Sequence, residues 1–126
     1  MLCLADDLSD RWAQTQAAMA VGAKPLWPVA QQAEAAALSD DATRHIGWVQ
    51  DWRAPQALFD AVLHHGSADS LLAVQQNLAQ RAGPIVGVWH GAPGERDIAL
   101  ERLVIERSVS VNTAAAGGNA SLMALG

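Results

Sequence analysis

The stretch 61–89 reads AVLHHGSADSLLAVQQNLAQRAGPIVGVW, and this stretch decides the fold. It opens with an apolar run, continues with a helical pattern and closes with a second apolar run, Ile85 to Trp89. One face of the helical part carries Leu71, Val74 and Leu78. Gly83 suits the end of that helix, and Pro84 prevents its continuation. A strand, a helix and a strand in this order form the unit from which parallel sheets are built.

The same alternation extends toward the start of the chain. Four apolar runs precede the last one and are predicted as strands: Leu2 to Ala5, Leu26 with Trp27, Ile46 to Val49, and Ala61 to His64. Five strands separated by helices predict an α/β fold, with a doubly wound, mainly parallel five-stranded Rossmann-like sheet.

The first helix is predicted between the first two strands. Its apolar face is expected to consist of residues at helical spacing: Leu8, Trp12, Thr15 and Met19. Asp6, Asp7 or Ser9 can cap its start, and Gly22 fits its end. A second, Ala-rich helix is predicted over Gln31 to Leu38.

Charge and composition exclude several classes of function. The 126-residue chain has a net charge of −5, and its eight Lys and Arg residues are scattered, so it lacks the basic stripe that nucleic-acid binding needs. The same deficit argues against binding to an anionic membrane, and residues 108–126 are too polar to span one. The single cysteine, Cys3, excludes an internal disulfide. Nothing near Met1 resembles a signal peptide, so we expect a cytoplasmic protein.

The turn after the first strand indicates whether the predicted fold can bind a dinucleotide. In dinucleotide-binding folds this turn is rich in glycine, which lets the backbone approach a pyrophosphate. Here residues 5–10 read ADDLSD, with no glycine and three carboxylates. These carboxylates suit the positive end of the helix dipole but repel a diphosphate. We therefore expect the fold of a nucleotide-binding protein without its cofactor site.

The acidic residues also allow a second hypothesis. Asp6, Asp7 and Asp51 occupy places comparable to those of the acids that hold Mg²⁺ in phospho-receiver domains. A receiver needs a lysine after its fifth strand, however, where this chain has His90 and Gly91. Helix caps and solvated surface charges are the favoured explanation of the three acids.

Three histidines follow the fourth and fifth strands, where ligands of α/β proteins usually bind: His64, His65 and His90. They could ligate a metal or shuttle protons. No carboxylate stands at a diagnostic spacing, so ordinary strand-end histidines are the favoured interpretation. Cys3 lies within the first strand and is expected to be a small buried hydrophobe.

After the fifth strand the pattern changes to a long β-type run. Residues 96–113 predict an antiparallel β-flap, with an apolar face formed by Leu103, Ile105, Val109 and Val111. Its charged residues alternate in sign, which fits cross-strand ion pairs: Glu101, Arg102, Glu106 and Arg107. Residues 114–126 form a tail of small residues. The predicted division is therefore a Rossmann-like domain over 1–95, the flap over 96–113 and the tail over 114–126.

The segment 100–123 reads LERLVIERSVSVNTAAAGGNASLM, and it closely resembles the terminus of the proline utilization A family. That family fuses a flavin-dependent proline dehydrogenase to an NAD-dependent glutamate-semialdehyde dehydrogenase. The preceding part resembles, more loosely, the extra aldehyde-dehydrogenase-like domain of the longer members, at Leu2–Leu4, Ala61–Leu63 and Gly83–Val86. The resemblance implies a C-terminal piece of a larger oxidoreductase. FAD and NAD would be bound elsewhere in the parent enzyme, and no catalytic, cofactor or metal residue is carried over to this chain.

The resemblance also implies a role. The chain would be a noncatalytic accessory domain that covers the cavity through which the intermediate passes and supports the aldehyde dehydrogenase domain. Small residues let the tail lie close to that partner's backbone. Docking contacts are expected at Arg107, Asn112, Thr113, Gly117, Gly118, Asn119, Ser121, Leu122 and Met123. Isolated from its parent, the chain is expected to form a homodimer through the flap. The alternative is a free-standing small-ligand α/β domain, either dinucleotide-binding or receiver-like.

Overall fold

The computed structural model describes residues 1–101 and residue 103. The strands in this part are β1 (Leu2–Leu4), β2 (Leu26–Pro28), β3 (Gly47–Val49), β4 (Ala61–His65) and β5 (Gly87–Gly91). The helices are α1 (Leu8–Ala20), α2 (Gln32–Ala35), α3 (Asp40–Thr43) and α4 (Ala68–Ala79), with a 3-10 turn, Val29–Gln31, before α2.

The five strands run parallel in one sheet, in the order β3-β2-β1-β4-β5. The chain starts at the centre, so α1 leads outward from β1 to β2 and α4 leads outward in the other direction, from β4 to β5. Because strand–helix–strand connections are right-handed, connections that run in opposite directions place their helices on opposite faces. This confirms the predicted doubly wound α/β sheet.

Two apolar cores lie on the two faces of the sheet. The core on the face of α1 includes Met1, Cys3, Ala18, Trp27, Ala61 and Leu63. The core on the opposite face includes Leu2, Trp52, Val62 and Val74. The two central strands therefore bury successive side chains on both sides, as the strands of a parallel sheet do when helices cover both faces.

The two long helices bury different kinds of residue. In α4, Val74 is buried between the half-buried Leu71 and Leu78, which confirms the predicted apolar face, and Ser67 caps the start of the helix. In α1, Thr15 of the predicted face is buried and Leu8 packs half-buried against the core, whereas Trp12 and Met19 are only half-buried. The residues that α1 buries are Asp10, Arg11, Gln14, Thr15 and Ala18. Four of the five are polar, and their partners lie in the site described below.

Several boundaries differ from the prediction. β5 begins at Gly87 rather than Ile85, because β4 begins at Ala61 and its register pairs that residue with Gly87. Ile85 is consequently 98% exposed. The Ala-rich helix is shorter than predicted, with α2 ending at Ala35. Helix α3 was not predicted, although Ser39 caps it with a hydrogen bond from a backbone N–H.

Most of the predicted flap and the whole of the predicted tail lie outside the described residues. In the described part of the flap, residues 96–100 form no strand, and Glu101 and Leu103 are helical. The strand prediction is wrong for these residues. Leu100 is buried, with Ile98 and Leu103 packed beside it against the core on the face of α1, so the segment covers that face instead of extending away from it.

Candidate functional site

A cleft of about 390 Å³ lies at the carboxyl ends of the strands. It forms beside β1, whose two neighbours are reached by connections in opposite directions, and this switch point is where open α/β sheets usually bind ligands. The polar residues that line it include Asp6, Arg11, Asp51, Arg53, His64 and Ser70.

The turn between β1 and α1 is occupied by its own carboxylate. The side chain of Asp7 accepts hydrogen bonds from the backbone N–H groups of Ser9, at 2.7 Å, and Asp10, at 3.2 Å. In a dinucleotide-binding protein, N–H groups at this helix end would hold the pyrophosphate. Asp6, also in the turn, lines the cleft with a second negative charge. These residues do not fit a dinucleotide, and the predicted helix-cap role of Asp7 is confirmed.

Arg11 fills the space beneath this turn. Its side chain is 2% exposed, and its guanidinium donates to the carbonyl oxygen of Ala5 and, at 2.7 Å, to the carboxylate of Glu34. The same guanidinium lies 5.2 Å from the centroid of the Trp27 ring. Arg11 therefore joins the end of β1, helix α2 and the core residue of β2.

Gln14 and His65 form a chain of buried hydrogen bonds next to Arg11. The Nε2 atom of Gln14 lies 2.9 Å from the carbonyl oxygen of Leu4 and 2.9 Å from Nδ1 of His65. A carbonyl oxygen only accepts, so the Gln14 atom donates, and Nδ1 of His65 accepts its second hydrogen. His65 then donates from Nε2 to the carbonyl oxygen of Glu95, at 2.7 Å.

Asp10 is held on the far side of the same helix turn. Its carboxylate accepts from the backbone N–H of Gly94, at 3.1 Å, and from Nη1 of Arg96, at 2.5 Å. Burial alone would raise the pKa of Asp10, but the hydrogen bonds from Arg96 and Gly94 outweigh burial and lower it. The sequence grouped Asp10 with the acids of the turn. In the fold its carboxylate instead binds the loop after β5.

His64 and His90 form a hydrogen-bonded imidazole pair. Their Nδ1 atoms are 2.9 Å apart, and the ring centroids are 5.1 Å apart at an interplanar angle of 27°. Nε2 of His64 lies 3.0 Å from the hydroxyl of Ser70, which itself donates to the carbonyl oxygen of Ser67. His64 therefore donates to Ser70, and its Nδ1 accepts from His90. Burial lowers the pKa of His64, and the neighbouring His90 lowers it further.

Cys3 and Asp51, two further residues that the sequence singles out, have local structural roles. Cys3 is fully buried in the core, as predicted, and burial raises the pKa of its thiol to about 11. Asp51 accepts from the backbone N–H of Arg53, at 3.0 Å, in a local turn. β2 separates β3, which precedes Asp51, from β1, so the strand order differs from the receiver order, in which the first and third strands are neighbours. The receiver-like hypothesis does not fit.

His64, His65 and His90 lie at the ends of β4 and β5, as predicted. Among residues 1–101 and 103, no group of three or more His, Cys, Asp or Glu side chains could hold a metal ion. Within the same residues, no helix combines the length and apolar content that a membrane span needs. Of the predicted ion-pair residues only Glu101 is described, and it is exposed. The predicted docking residues, Arg107 to Met123, all lie outside the described residues.

Sequence reasoning missed the roles of Arg11, Gln14 and Arg96. A signal was present, because Asp10, Arg11, Gln14, Thr15 and Ala18 recur at helical spacing and form a stripe. The apolar residues of the same helix recur at a similar spacing and predict a different buried face. The long-range partner, Arg96, could not be found in this way, since nothing in the local sequence links it to residue 10.

No protein-family model matches the chain. Over 128 residues it is 46% identical to the bifunctional protein PutA of Escherichia coli (strain K12), an alignment that covers 100% of this chain and 10% of that protein. It is 45% identical over 139 residues to the bifunctional protein PutA of Salmonella typhimurium (strain LT2), again covering 100% of this chain and 10% of the relative. The bifunctional protein PutA of Rhizobium meliloti is 42% identical over 86 residues, which cover 64% of this chain and 7% of that protein.

The chain is homologous to a region of PutA. It spans about a tenth of the length of the first two of these relatives. The resemblance that the sequence showed in residues 100–123 therefore extends, in the alignments to the Escherichia coli and Salmonella PutA proteins, over the whole chain.

Proposed function

We propose that this chain is a noncatalytic accessory domain of a bifunctional proline-oxidising enzyme. In that enzyme it covers the cavity that the intermediate crosses between two active sites, and it supports the aldehyde dehydrogenase domain. The observation that carries the proposal is the 46% identity, over the whole chain, to a tenth of a bifunctional PutA. FAD and NAD are then cofactors of the parent enzyme, which works in the cytoplasm.

The turn between β1 and α1 supports the noncatalytic part of the proposal. The fold has the strand order of a dinucleotide-binding half, yet Asp7 takes up backbone N–H groups at the start of α1. Asp6 adds negative charge at the cleft. A diphosphate would have to displace the carboxylate of Asp7 and approach that of Asp6. Repulsion between the negative charges opposes binding.

The thiol of Cys3 offers no substitute for a catalytic nucleophile. Burial raises its pKa to about 11, so it stays protonated at neutral pH, and its side chain is fully buried in the core. The role that remains for the domain is structural, through surfaces and through the segment that follows β5.

For this segment we propose docking against the aldehyde dehydrogenase domain of the same parent chain. The contact residues are those that the resemblance implies: Arg107, Asn112, Thr113, Gly117, Gly118, Asn119, Ser121, Leu122 and Met123. Gly117 and Gly118 would allow close backbone approach, which a side chain would prevent. When the parent partner is absent, the β-flap over residues 96–113 would pair two copies of the chain.

The decisive experiment deletes residues 108–126 in the full-length protein as it is encoded. We expect aldehyde oxidation to fall, or a lag in NADH formation to develop, while proline oxidation changes little. Gly118→Leu should act in the same direction. Gln76→Leu, which adds the same side chain at an exposed position of α4, is the matched control and should leave both half-reactions unchanged. Unchanged aldehyde oxidation without a lag in the deletion variant would contradict the proposal.

A second candidate function rests on the cleft at the switch point of the sheet. A free-standing domain of this fold could bind a small ligand there. Calorimetric titration of the chain with NAD distinguishes the two hypotheses. We expect no saturable binding, and saturation in the micromolar range would favour the small-ligand domain instead.

A further inference from the structure

We propose that Asp10, Arg96 and His65 form a latch that holds the segment after β5 against the start of α1. The latch makes these three side chains positioning residues for residues 94–100, the described segment that follows β5. This inference goes beyond the proposed function, because it concerns how the domain fixes its own last described segment, whatever that segment contacts.

The segment needs such a latch because its backbone does not provide one. Residues 92–100 follow β5 and contain no strand or helix. Their own backbone hydrogen bonds are local, from Glu95 to Ala92 and from Ile98 to Arg96. In the described part of the chain, the hydrogen bonds that join this segment to distant residues all involve side chains.

One half of the latch is centred on Asp10. Its side chain is 6% exposed, and it accepts from Arg96 and from the backbone of Gly94, more than eighty residues away in sequence. Arg96 also donates from Nη2 to the hydroxyl of Ser9, at 2.7 Å. One guanidinium thus binds two consecutive residues of α1, a two-pronged contact that fixes orientation as well as distance.

The other half is centred on His65. Its Nε2 donates to the carbonyl oxygen of Glu95, between the two residues that Asp10 binds. Gln14 holds the opposite nitrogen of the ring, so the imidazole cannot turn without losing a buried hydrogen bond. The backbones of Gly94 and Glu95 are therefore bound by side chains of α1 and β4, and Arg96 binds α1 through its own side chain.

Beyond the latch the chain enters the core. Leu100 is 3% exposed, and Ile98 is half-buried beside the core on the face of α1. The polar latch and this apolar contact are separated by only a few residues. Together they fix the position of residues 94–100 against the face of α1.

The test is hydrogen–deuterium exchange of the full-length protein as it is encoded, followed on peptides from residues 92–101. Arg96→Met keeps much of the side-chain bulk and removes the charge-assisted hydrogen bonds. We expect amide exchange in these peptides to become about tenfold faster, the change that loss of one hydrogen bond to a charged group produces. Peptides from α4 should be unchanged.

The matched control is Arg44→Met. Arg44 forms an ion pair with Asp41 at 3.6 Å, but both side chains are exposed, so its loss should not change exchange at residues 92–101. Asp10→Asn, which removes the charge that Arg96 binds, is the second variant. Arg96→Lys should restore part of the protection that Arg96→Met loses at residues 92–101, because lysine keeps the charge but not the two-pronged geometry. Equal exchange in wild type and Arg96→Met, or an increase spread evenly over α4, would overturn the latch.

The same variants separate the latch from the proposed function. If both hold, Arg96→Met also lowers aldehyde oxidation in the parent enzyme, by less than deletion of residues 108–126. Faster exchange with unchanged oxidation in both the Arg96→Met and the deletion variants would leave the latch standing and contradict the docking role. Unchanged exchange in Arg96→Met, together with impaired oxidation in the deletion variant, would support the docking role and contradict the latch.

Discussion

Helices α1 and α4 flank the same sheet, one on each face, and are of nearly equal length, with 13 and 12 residues. Helix α4 packs through the apolar stripe that its sequence predicts, around Val74. Helix α1 turns a largely polar stripe inward, and three of its predicted apolar residues remain half-buried. Helices of similar length and position are thus held by different interactions.

The reason lies in what each helix meets. Residues of α4 face side chains of β4 and β5, so dispersion and burial of apolar surface are sufficient there. The first turns of α1 meet the carbonyl oxygens of Leu4 and Ala5 at the end of β1, and the loop after β5. Buried carbonyl groups need donors, and Arg11 and Gln14 supply them. A stripe of polar residues on a helix beside the end of a sheet can therefore mark a buried face of that helix as well as a solvent-exposed one.

Arg11→Ala should give the largest effect in this comparison. The substitution removes the donors to Ala5 and Glu34 from a nearly inaccessible site, and we expect the free energy of unfolding to fall by about 3 kcal/mol. Arg53→Ala is the matched control, since Arg53 also lies over a tryptophan ring, at 4.5 Å, but is exposed. Urea unfolding followed by tryptophan fluorescence measures both, and equal losses would break the distinction between the two arginines.

Val74→Ala tests the apolar helix. Val74 is 7% exposed, and truncation should lower the free energy of unfolding by about 2 kcal/mol through lost burial and an unfilled space. Leu72→Ala on the same helix removes more atoms, but Leu72 is 53% exposed, so we expect a change within about 0.5 kcal/mol. Thermal and urea unfolding of both variants provide the measurement. A larger loss for Leu72→Ala would contradict the assignment of the buried face.

Thr15→Val tests the polar stripe without changing its shape. The Thr15 hydroxyl accepts from the indole N–H of Trp27, at 2.8 Å, and valine would leave that buried N–H without an acceptor. We expect the free energy of unfolding to fall by about 1.5 kcal/mol. Thr43→Val, at an exposed hydrogen bond to the carbonyl oxygen of Asp40, should cost less than about 0.5 kcal/mol. No difference between the two threonine variants would mean that the buried hydrogen bond adds nothing.

The pH dependence of stability gives the smallest expected effect. Hydrogen bonds from Arg96 and Gly94 outweigh burial and lower the pKa of Asp10 in the folded state, so the carboxylate stabilises the fold above its unfolded pKa of about 3.9. That contribution is lost as the pH falls through the folded pKa. His65 is the other titratable group that acts on Asp10.

Comparison of wild type with Asp10→Asn isolates this contribution. The difference in unfolding free energy between the two proteins should be constant from pH 7 to pH 5 and should shrink as the pH is lowered toward 3. Urea titrations at each pH provide the values. A difference that does not change with pH would show that the Asp10 charge plays no part in the latch.

The sheet could be predicted because its signals are local. Short apolar runs, the helix cap at Asp7 and the turn at Gly22, where φ is +76°, each act over a few residues. The sequence did not predict the ends of strands that depend on pairing with a neighbouring strand. β5, for example, begins at Gly87, the residue that pairs with the first residue of β4. The candidate site was predicted only in outline, since the strand-end histidines were found but the partners of His64 and His65 were not.

What the sequence determined by itself was the fold class, the positions of the five strands and the acidic, glycine-free turn at Asp6 and Asp7. Apolar periodicity and helix caps are properties of neighbouring residues, so they survive without knowledge of the fold. Only the tertiary structure decided which side of α1 is buried, because that depends on carbonyl groups and a loop brought together from opposite ends of the described chain. Asp10 and Arg96 meet only after the parallel sheet has placed β1 beside β4 and β4 beside β5.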